Sequence, residues 1–383
     1  MSETTRPVRH IVFDIGKVLI HYDPNIPFSR LIPDETERNE FFATVCTHEW
    51  NLEQDRGRDW AEAEALLIEQ FPDKADLILT GWNRDLENNR ALLRDTLAIR
   101  PATKIAVISE EPLWDSLWSG GFADRDRSLA AGDVEIPYRF LNHVNSGIFD
   151  FRKIPYFLLT SDAFAARYAM LIAGFAALDP RALLAHWRAA PLQCAFFCER
   201  RAAPEYAAHF PEQDLYGLSL YRSRIADLIP EGAVLRVGQG WTGTPQRRQD
   251  LPDWHLAKLA RLHGRVRVCG AQENTLFRDY ITEKAFDAFA VGAIPAVVAG
   301  AGHRLYDLIA PDAMLDTAGF SPDLAAARIA AFSPDIITAE AWRANAAQLV
   351  SLFRDADALI AERRRVVDAT LDEIAELMET PVR

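Results

Sequence analysis

Polar and apolar residues alternate along Arg265-Val266-Arg267-Val268-Cys269, the period of a half-buried strand. Over residues 283–290 the period changes: Ala285, Phe286 and Phe289 recur at helical spacing, and Gly292 supplies a C-terminal stop. Ile294-Pro295-Ala296-Val297-Val298-Ala299 follows as a short apolar run of the kind a buried parallel strand shows. The pattern predicts a strand–loop–helix–strand unit. Its first loop holds two polar groups, Glu273-Asn274-Thr275 and Asp279-Tyr280-Ile281-Thr282-Glu283-Lys284. That loop leaves the carboxyl end of its strand, where open α/β sheets bind ligands. Glu283 and Lys284 begin the helix, where free N–H groups and the dipole attract phosphate.

The same reading predicts strands at 11–14, at 104–109 (followed by Glu110-Glu111-Pro112) and at 195–197 (followed by Glu199-Arg200-Arg201). Residues 156–187 are rich in Ala, Leu and Phe at helical spacing and read as core-facing helix. Tyr221-Arg222-Ser223-Arg224-Ile225-Ala226-Asp227-Leu228-Ile229 reads as an amphipathic helix, with Arg222 in the better register of apolar residues. Val237-Gly238-Gln239-Gly240-Trp241-Thr242-Gly243 reads as a glycine-rich turn, a weak signal by itself. From Ser333 the chain is helical and highly charged. In residues 356–378 an apolar stripe (Leu359, Ile360, Val366, Val367, Leu371, Ile374, Leu377) is expected to pack on the body, with 362–365 as a solvated face. There is no internal repeat and no low-complexity segment.

Composition narrows the function classes. At 383 residues the chain has room for two to three domains of about 100–200 residues each. A net charge of −13 argues against a general nucleic-acid binder, which needs a basic surface to neutralise phosphates. Lysine is scarce and arginine common, so a phosphate clamp is expected to use Arg. Cys46, Cys194, Cys198 and Cys269 are too few for a disulfide framework in a chain this long; Cys194 and Cys198 have no second ligand pair and read as buried thiols. Residues 1–10 lack the apolar core of a signal peptide, and the apolar stretches around 169–178 and 288–302 are too short or too interrupted to span a bilayer. The expectation is a cytoplasmic protein with at most peripheral contact at the inner membrane.

Residues 273–300 resemble the donor-site motif of the α-1,3-fucosyltransferases, glycosyltransferase family 10. That motif runs Phe-Glu-Asn-Ser, then Asp-Tyr-Val-Thr-Glu-Lys, then an apolar helix and a Pro-Val strand; here Gln272 replaces the Phe and Thr275 the Ser. The likeness extends more loosely over about residues 100–335. Val134-Glu135-Ile136-Pro137-Tyr138 is similar to the family's Val-Pro-Tyr segment, and Arg222 or Arg224 to its arginine near the donor pyrophosphate. The resemblance implies a GT-B-type, two-lobed, Rossmann-like glycosyltransferase that moves L-fucose from GDP-fucose to a hydroxyl of an oligosaccharide or lipid-linked glycan acceptor, with inversion. It assigns donor binding to Arg222, Arg224, Glu273, Asn274, Tyr280, Glu283 and Lys284, and the general base to Glu111, with Glu110 as its neighbour and alternative. Adjacent carboxylates raise each other's pKa, which suits a base working near neutrality. No Asp-x-Asp motif sits at a plausible donor site, so the expected mechanism requires no metal and no cofactor beyond the GDP-fucose substrate.

The first segment has another character. Ile11-Val12-Phe13-Asp14-Ile15-Gly16-Lys17-Val18-Leu19 resembles the opening motif of haloacid-dehalogenase-type hydrolases, in which Asp14 would be the nucleophile. The likeness continues through Asp23-Pro24 and the stretch from Cys46 to Gly57, which looks like a helical cap, and it breaks near residue 90. Ser109 suits the family's later Ser or Thr, but the lysine and the acidic pair for Mg²⁺ are missing, and Gly16 stands where a second Asp is usual. This implies a partial α/β segment kept as scaffold, its strand 11–14 lying beside the strand at 104–109. The expected domains are 1–95 (dehalogenase-like), 96–190 (acceptor-side lobe), 191–335 (donor lobe) and 336–383 (C-terminal helices). The rival readings are a Mg²⁺-dependent phosphatase using Asp14 and a nucleotide-sugar-binding protein without turnover.

Overall fold

The computed structural model describes residues 12–13, 32–45, 47, 50, 66–71, 77–81, 90–119, 121–122, 124–241 and 253–379. The chain divides into two compact units, one of residues 1–149 with 364–383 and one of residues 150–363.

The first unit holds strands β1 (Val12–Phe13), β2 (Leu77–Gly81), β3 (Lys104–Ile108), β4 (Asp126–Ala131) and β5 (Val134–Leu141), in the order β1-β2-β3-β5-β4. All neighbours are parallel except the β4–β5 hairpin, which turns at Gly132 with φ 68°. Ile105, Val107, Ile136 and Phe140 bury one continuous core with Leu93. Arg139 is only 4% exposed; it is held by Asp126 on β4 and by Glu376 on the helix Ala356–Glu379, each at 2.9 Å.

Two expectations are corrected here. The strand read at 11–14 lies parallel in the sheet of β3, but β2 stands between them. The apolar run Leu77-Ile78-Leu79 is a strand that the pattern reading passed over. Because β1 and β2 share a sheet with β3, no boundary falls at 95. Asp14, Gly16, Asp23 and Cys46 lie outside the described residues.

The second unit is built on β6 (Leu192–Phe197), β9 (Val234–Val237), β10 (Val266–Gly270), β12 (Ile294–Val297) and β13 (Leu315–Asp316). They form a wholly parallel sheet in the order β13-β12-β10-β6-β9. Strand β12 is buried at every position, as a strand covered on both faces is, while β6, β9 and β10 carry the half-buried Gln193, Arg236 and Arg267. A separate antiparallel ribbon joins β7 (His209–Phe210), β8 (Leu215–Gly217) and β11 (Thr275–Leu276).

The long helical stretch resolves into Tyr156–Leu159, Asp162–Ala176 and Pro180–Ala189. Ser161 and Asp179 break it as N-caps, their side chains accepting the N–H groups of Ala163 and of Arg181 and Ala182. These helices belong to the second unit, so the boundary expected at 190 moves to 150. Trp187 donates to the carbonyl of Gly292 at 2.8 Å, and Trp342 to that of Ala293 at 3.0 Å. The two indoles meet edge to face at 5.8 Å. They anchor helices Pro180–Ala189 and Ile336–Arg354 on the turn before β12. Residues 336–363 thus belong to this unit, and no boundary falls at 335.

The face read as solvated at 362–365 is corrected as well. Glu362 is 3% exposed and accepts the N–H groups of Arg152 at 2.7 Å, of Lys153, and of Ile154 at 3.4 Å. Arg363 pairs with Asp162. In the first unit, Arg365 donates to the carbonyls of Gly147 and Ile148. Of the predicted stripe, Ile360 is 46% exposed. Amides of the 152–154 turn need an acceptor, and that need outweighs the local charge pattern. No single described helix is long and apolar enough to cross a membrane.

Candidate functional site

In the second unit, β6 is followed in sequence by β9 on one side, while β10 begins on the other. Strand order therefore reverses between β6 and β10, and the crevice beyond their carboxyl ends is where such sheets take ligands. Two loops frame it. Residues 198–201 leave β6, zipped to the glycine-rich turn after β9: Arg200 N–H donates to the Gln239 carbonyl at 2.8 Å and the Trp241 indole to the Cys198 carbonyl at 2.8 Å. Gly238 makes this approach possible, with φ 137° and no room for a Cβ, which would lie 2.3 Å from the Cys198 oxygen. Thr242 and Gly243 lie outside the described residues.

The second loop leaves β10 through Ala271, Gln272, Glu273 and Asn274. Leu218 N–H donates to the Asn274 carbonyl at 2.8 Å, and Thr275 pairs with Gly217 in the ribbon. These contacts seat the helix Ser219–Leu228 against the loop. Arg222 on that helix donates to the Gln272 carbonyl at 3.4 Å, whereas Arg224, two positions on, is exposed.

Glu273 is the hub of the loop. Its carboxylate accepts the N–H and hydroxyl of Thr282 and the ammonium of Lys284, each at 2.8 Å. Lys284 also stands 3.6 Å from Glu283. Tyr280 is buried at 5% exposure, and Glu283 at 1%. The helix Lys284–Ala290 begins beyond them, and the Glu283 side chain does not cap it.

Pattern reading missed the next layer. Lys258, on the helix Trp254–Leu262, lies 2.7 Å from Asp287 and 4.0 Å from Glu283. Asp287 also accepts from Tyr168 and His255, each at 2.7 Å. An Asp at the buried position of an otherwise apolar helix, between Phe286 and Ala288, was the available signal.

The electrostatics converge on Cys198. Burial raises this thiol above its ordinary value, while the positive charges of Arg222, Lys284 and Lys258 all act in the opposite direction. Cys194 and Cys269 are fully buried thiols pushed up to about 12 by burial; Cys198 is only half-buried, so its reading as a core thiol is corrected. Among the described residues, three buried polar atoms at this crevice, Gln272 Nε2, Thr275 Oγ1 and Arg222 Nε, have no hydrogen-bond partner. Such orphans mark where a ligand's own polar groups belong. A concentration of cations with spare donors, in a chain of net charge −13, suits an anionic, hydroxyl-bearing ligand.

Residues 259–335 match the family model for the C-terminal part of glycosyltransferase family 10 (fucosyltransferase). The chain is a glycosyltransferase. The matched segment, about a fifth of the chain, runs from the helix before β10 to the helix after β13, and it contains Glu273, Asn274, Tyr280, Glu283 and Lys284. A solved structure, the crystal structure of an α1,3-fucosyltransferase with GDP-fucose, is similar at 13% identity and TM-score 0.31, over 79% of this chain and 90% of that one. No curated protein matches the chain in sequence. None of these matches supports a dehalogenase-like first segment.

The remaining predicted residues lie in the first unit. β3 runs into Ser109, Glu110 and Glu111, and the His143 ring donates from Nε2 to the Glu110 carbonyl at 3.1 Å while stacking on Phe149. Glu110 is exposed and Glu111 half-buried. Among the described residues no three His, Cys, Asp or Glu side chains group as a metal site.

Proposed function

We propose that this glycosyltransferase moves L-fucose from GDP-fucose to a hydroxyl of an oligosaccharide or lipid-linked glycan, with inversion. The observation that carries the reading is the convergence of Lys284, Arg222 and Lys258 on one thiol at the β6/β10 switch point, with Lys284 inside the segment 259–335 that matches the fucosyltransferase family model.

The residues divide the chemistry as follows. Lys284 and Arg222 face the diphosphate, whose negative charge grows as the bond between the anomeric carbon and the phosphate oxygen breaks. Their attraction is therefore greater in the transition state than in the ground state. Glu283 and Glu273 offer acceptors to sugar hydroxyls, and Asn274 and Tyr280 line the same loop. Glu111 takes the proton of the acceptor hydroxyl as its oxygen bonds to the opposite face of the anomeric carbon.

Mass spectrometry after incubation with GDP- and UDP-sugars and a mixed glycan pool tests this. The expected result is a deoxyhexose increment from GDP-fucose alone. An increment only from another donor overturns the sugar assignment. GDP binding without transfer or slow hydrolysis of GDP-fucose would make the chain a binding protein.

A further inference from the structure

Glu283 and Asp287 lie four residues apart, 1% and 2% exposed respectively. Residues at this spacing share a helix face, and two like charges there repel, most strongly when buried. Three groups meet Asp287. Tyr168 and His255 each reach Oδ1 at 2.7 Å, and Lys258 reaches Oδ2 at 2.7 Å. The protons can be placed. Arg167 Nη1 lies 3.0 Å from His255 Nδ1, and a guanidinium can only donate, so Nδ1 accepts and Nε2 carries the hydrogen given to Asp287. Tyr168 is held protonated, its pKa raised well above the ordinary value by burial and by Asp287. Both partners on Oδ1 are thus neutral donors, and the balancing charge comes from Lys258.

That ammonium is shared. It stands 4.0 Å from Glu283 Oε1, with its side chain 11% exposed. Burial lowers its pKa, but Asp287 and Glu283 outweigh burial and the net shift is upward. The surrounding charged and titratable groups are Arg167 and Tyr168 on one helix, Asp253 and His255 at the start of another, Cys198 from the loop after β6, Cys269 from β10, Glu273 from the loop after β10 and Lys284 at the start of the helix Lys284–Ala290.

We infer that Lys258 is a positioning residue of the donor site: by neutralising Asp287 behind the helix, it keeps Glu283 ionised and aimed at the sugar nucleotide. This rests on the donor-site reading above. Without the Lys258 ammonium, Lys284, 3.6 Å from Glu283, is left to balance two buried carboxylates; they titrate as a coupled pair, and their repulsion favours holding one proton between them.

The test begins without ligand. Carboxyl-carbon NMR of the free protein would follow the Asp and Glu titrations in wild type, Lys258→Met, Lys258→Arg, and Lys258→Met with Glu283→Gln. Lys258→Met should gain a carboxyl titrating above the usual carboxylate range, absent from wild type and Lys258→Arg and abolished by Glu283→Gln. Its donor affinity should then fall about tenfold per pH unit below that titration, while acceptor KM stays put. A folded Lys258→Met protein with no new titration, or with one that survives Glu283→Gln, overturns the inference. If Lys258→Met does not fold, Lys258→Met with Asp287→Asn removes one charge of each sign and should restore folding; failure to do so overturns it equally. Wild-type protein that binds no GDP overturns the donor reading instead, which is separable because the titration is read without GDP.

Discussion

The hydroxyl of Ser109 donates to the buried carboxylate of Asp115 across 2.5 Å, and the same oxygen accepts the backbone N–H of Glu111 at 3.2 Å. A charge-assisted bond of this kind is among the stronger ones in proteins. It fixes the main chain that carries the assigned base while leaving the Glu111 side chain half-buried.

Glu111→Gln should therefore keep donor affinity and lose transfer by roughly 10²–10⁴-fold. The amide preserves shape but cannot take the proton. Transfer rates and GDP calorimetry on Glu111→Gln and Glu110→Gln check it. Near-normal rates in the first with inactivity in the second would move the role to Glu110.

Lys284→Ala should weaken GDP-fucose binding by about 1.5–3 kcal/mol, the worth of one charge-assisted hydrogen bond. Some loss of melting temperature will accompany it, since Lys284 also ties Glu273 to Thr282. Unchanged GDP affinity in calorimetry would take this lysine out of the site.

Arg222→Ala should lose GDP affinity and Arg224→Ala should not. Arg222 reaches the Gln272 carbonyl, while Arg224 lies on the exposed face. Loss in Arg224→Ala alone would reverse the assignment.

Gly238→Ala should destabilise the second unit. The residue sits at φ 137°, and a Cβ there meets the Cys198 carbonyl oxygen at 2.3 Å, a backbone atom that cannot step aside. Strain of this type costs about 1–3 kcal/mol, readable in denaturant unfolding. Wild-type stability would show that the two loops are not zipped as described.

His143 gives stability an acid limit. Burial lowers its pKa from 6.5 to about 3, the bond to the Glu110 carbonyl opposing only in part. The unfolded chain thus binds a proton that the native state refuses, so this group's contribution is full above about 6.5 and declines as pH falls toward 3. Urea unfolding between these limits should show a shallower pH slope in His143→Asn than in wild type. Equal slopes would exclude the residue.

The elements around the site were legible because their periodicity is local. The strand at 265–269, the helix from 283 and the apolar run at 294 appear as β10, Lys284–Ala290 and β12. Less legible was whatever depends on distant partners. Lys258 reads as an ordinary helix-surface lysine until Asp287 is folded against it. The strand β2 is five residues without alternation, too short to separate from a buried loop by pattern. Ala356–Glu379 looked like a helix with one solvated face because nothing near Glu362 in sequence reveals the amides it serves.

The Glu362 contact also bears on synthesis. Its partner amide at Arg152 lies 210 residues earlier in the chain. At about 5–20 residues per second, a ribosome makes the turn roughly 10–40 s before it makes the acceptor. Until then those amides rely on water, and the second unit stays open at that edge. Closure of this edge therefore waits for the helix Ala356–Glu379, and a nascent chain stalled before residue 362 should remain sensitive to protease at 150–154.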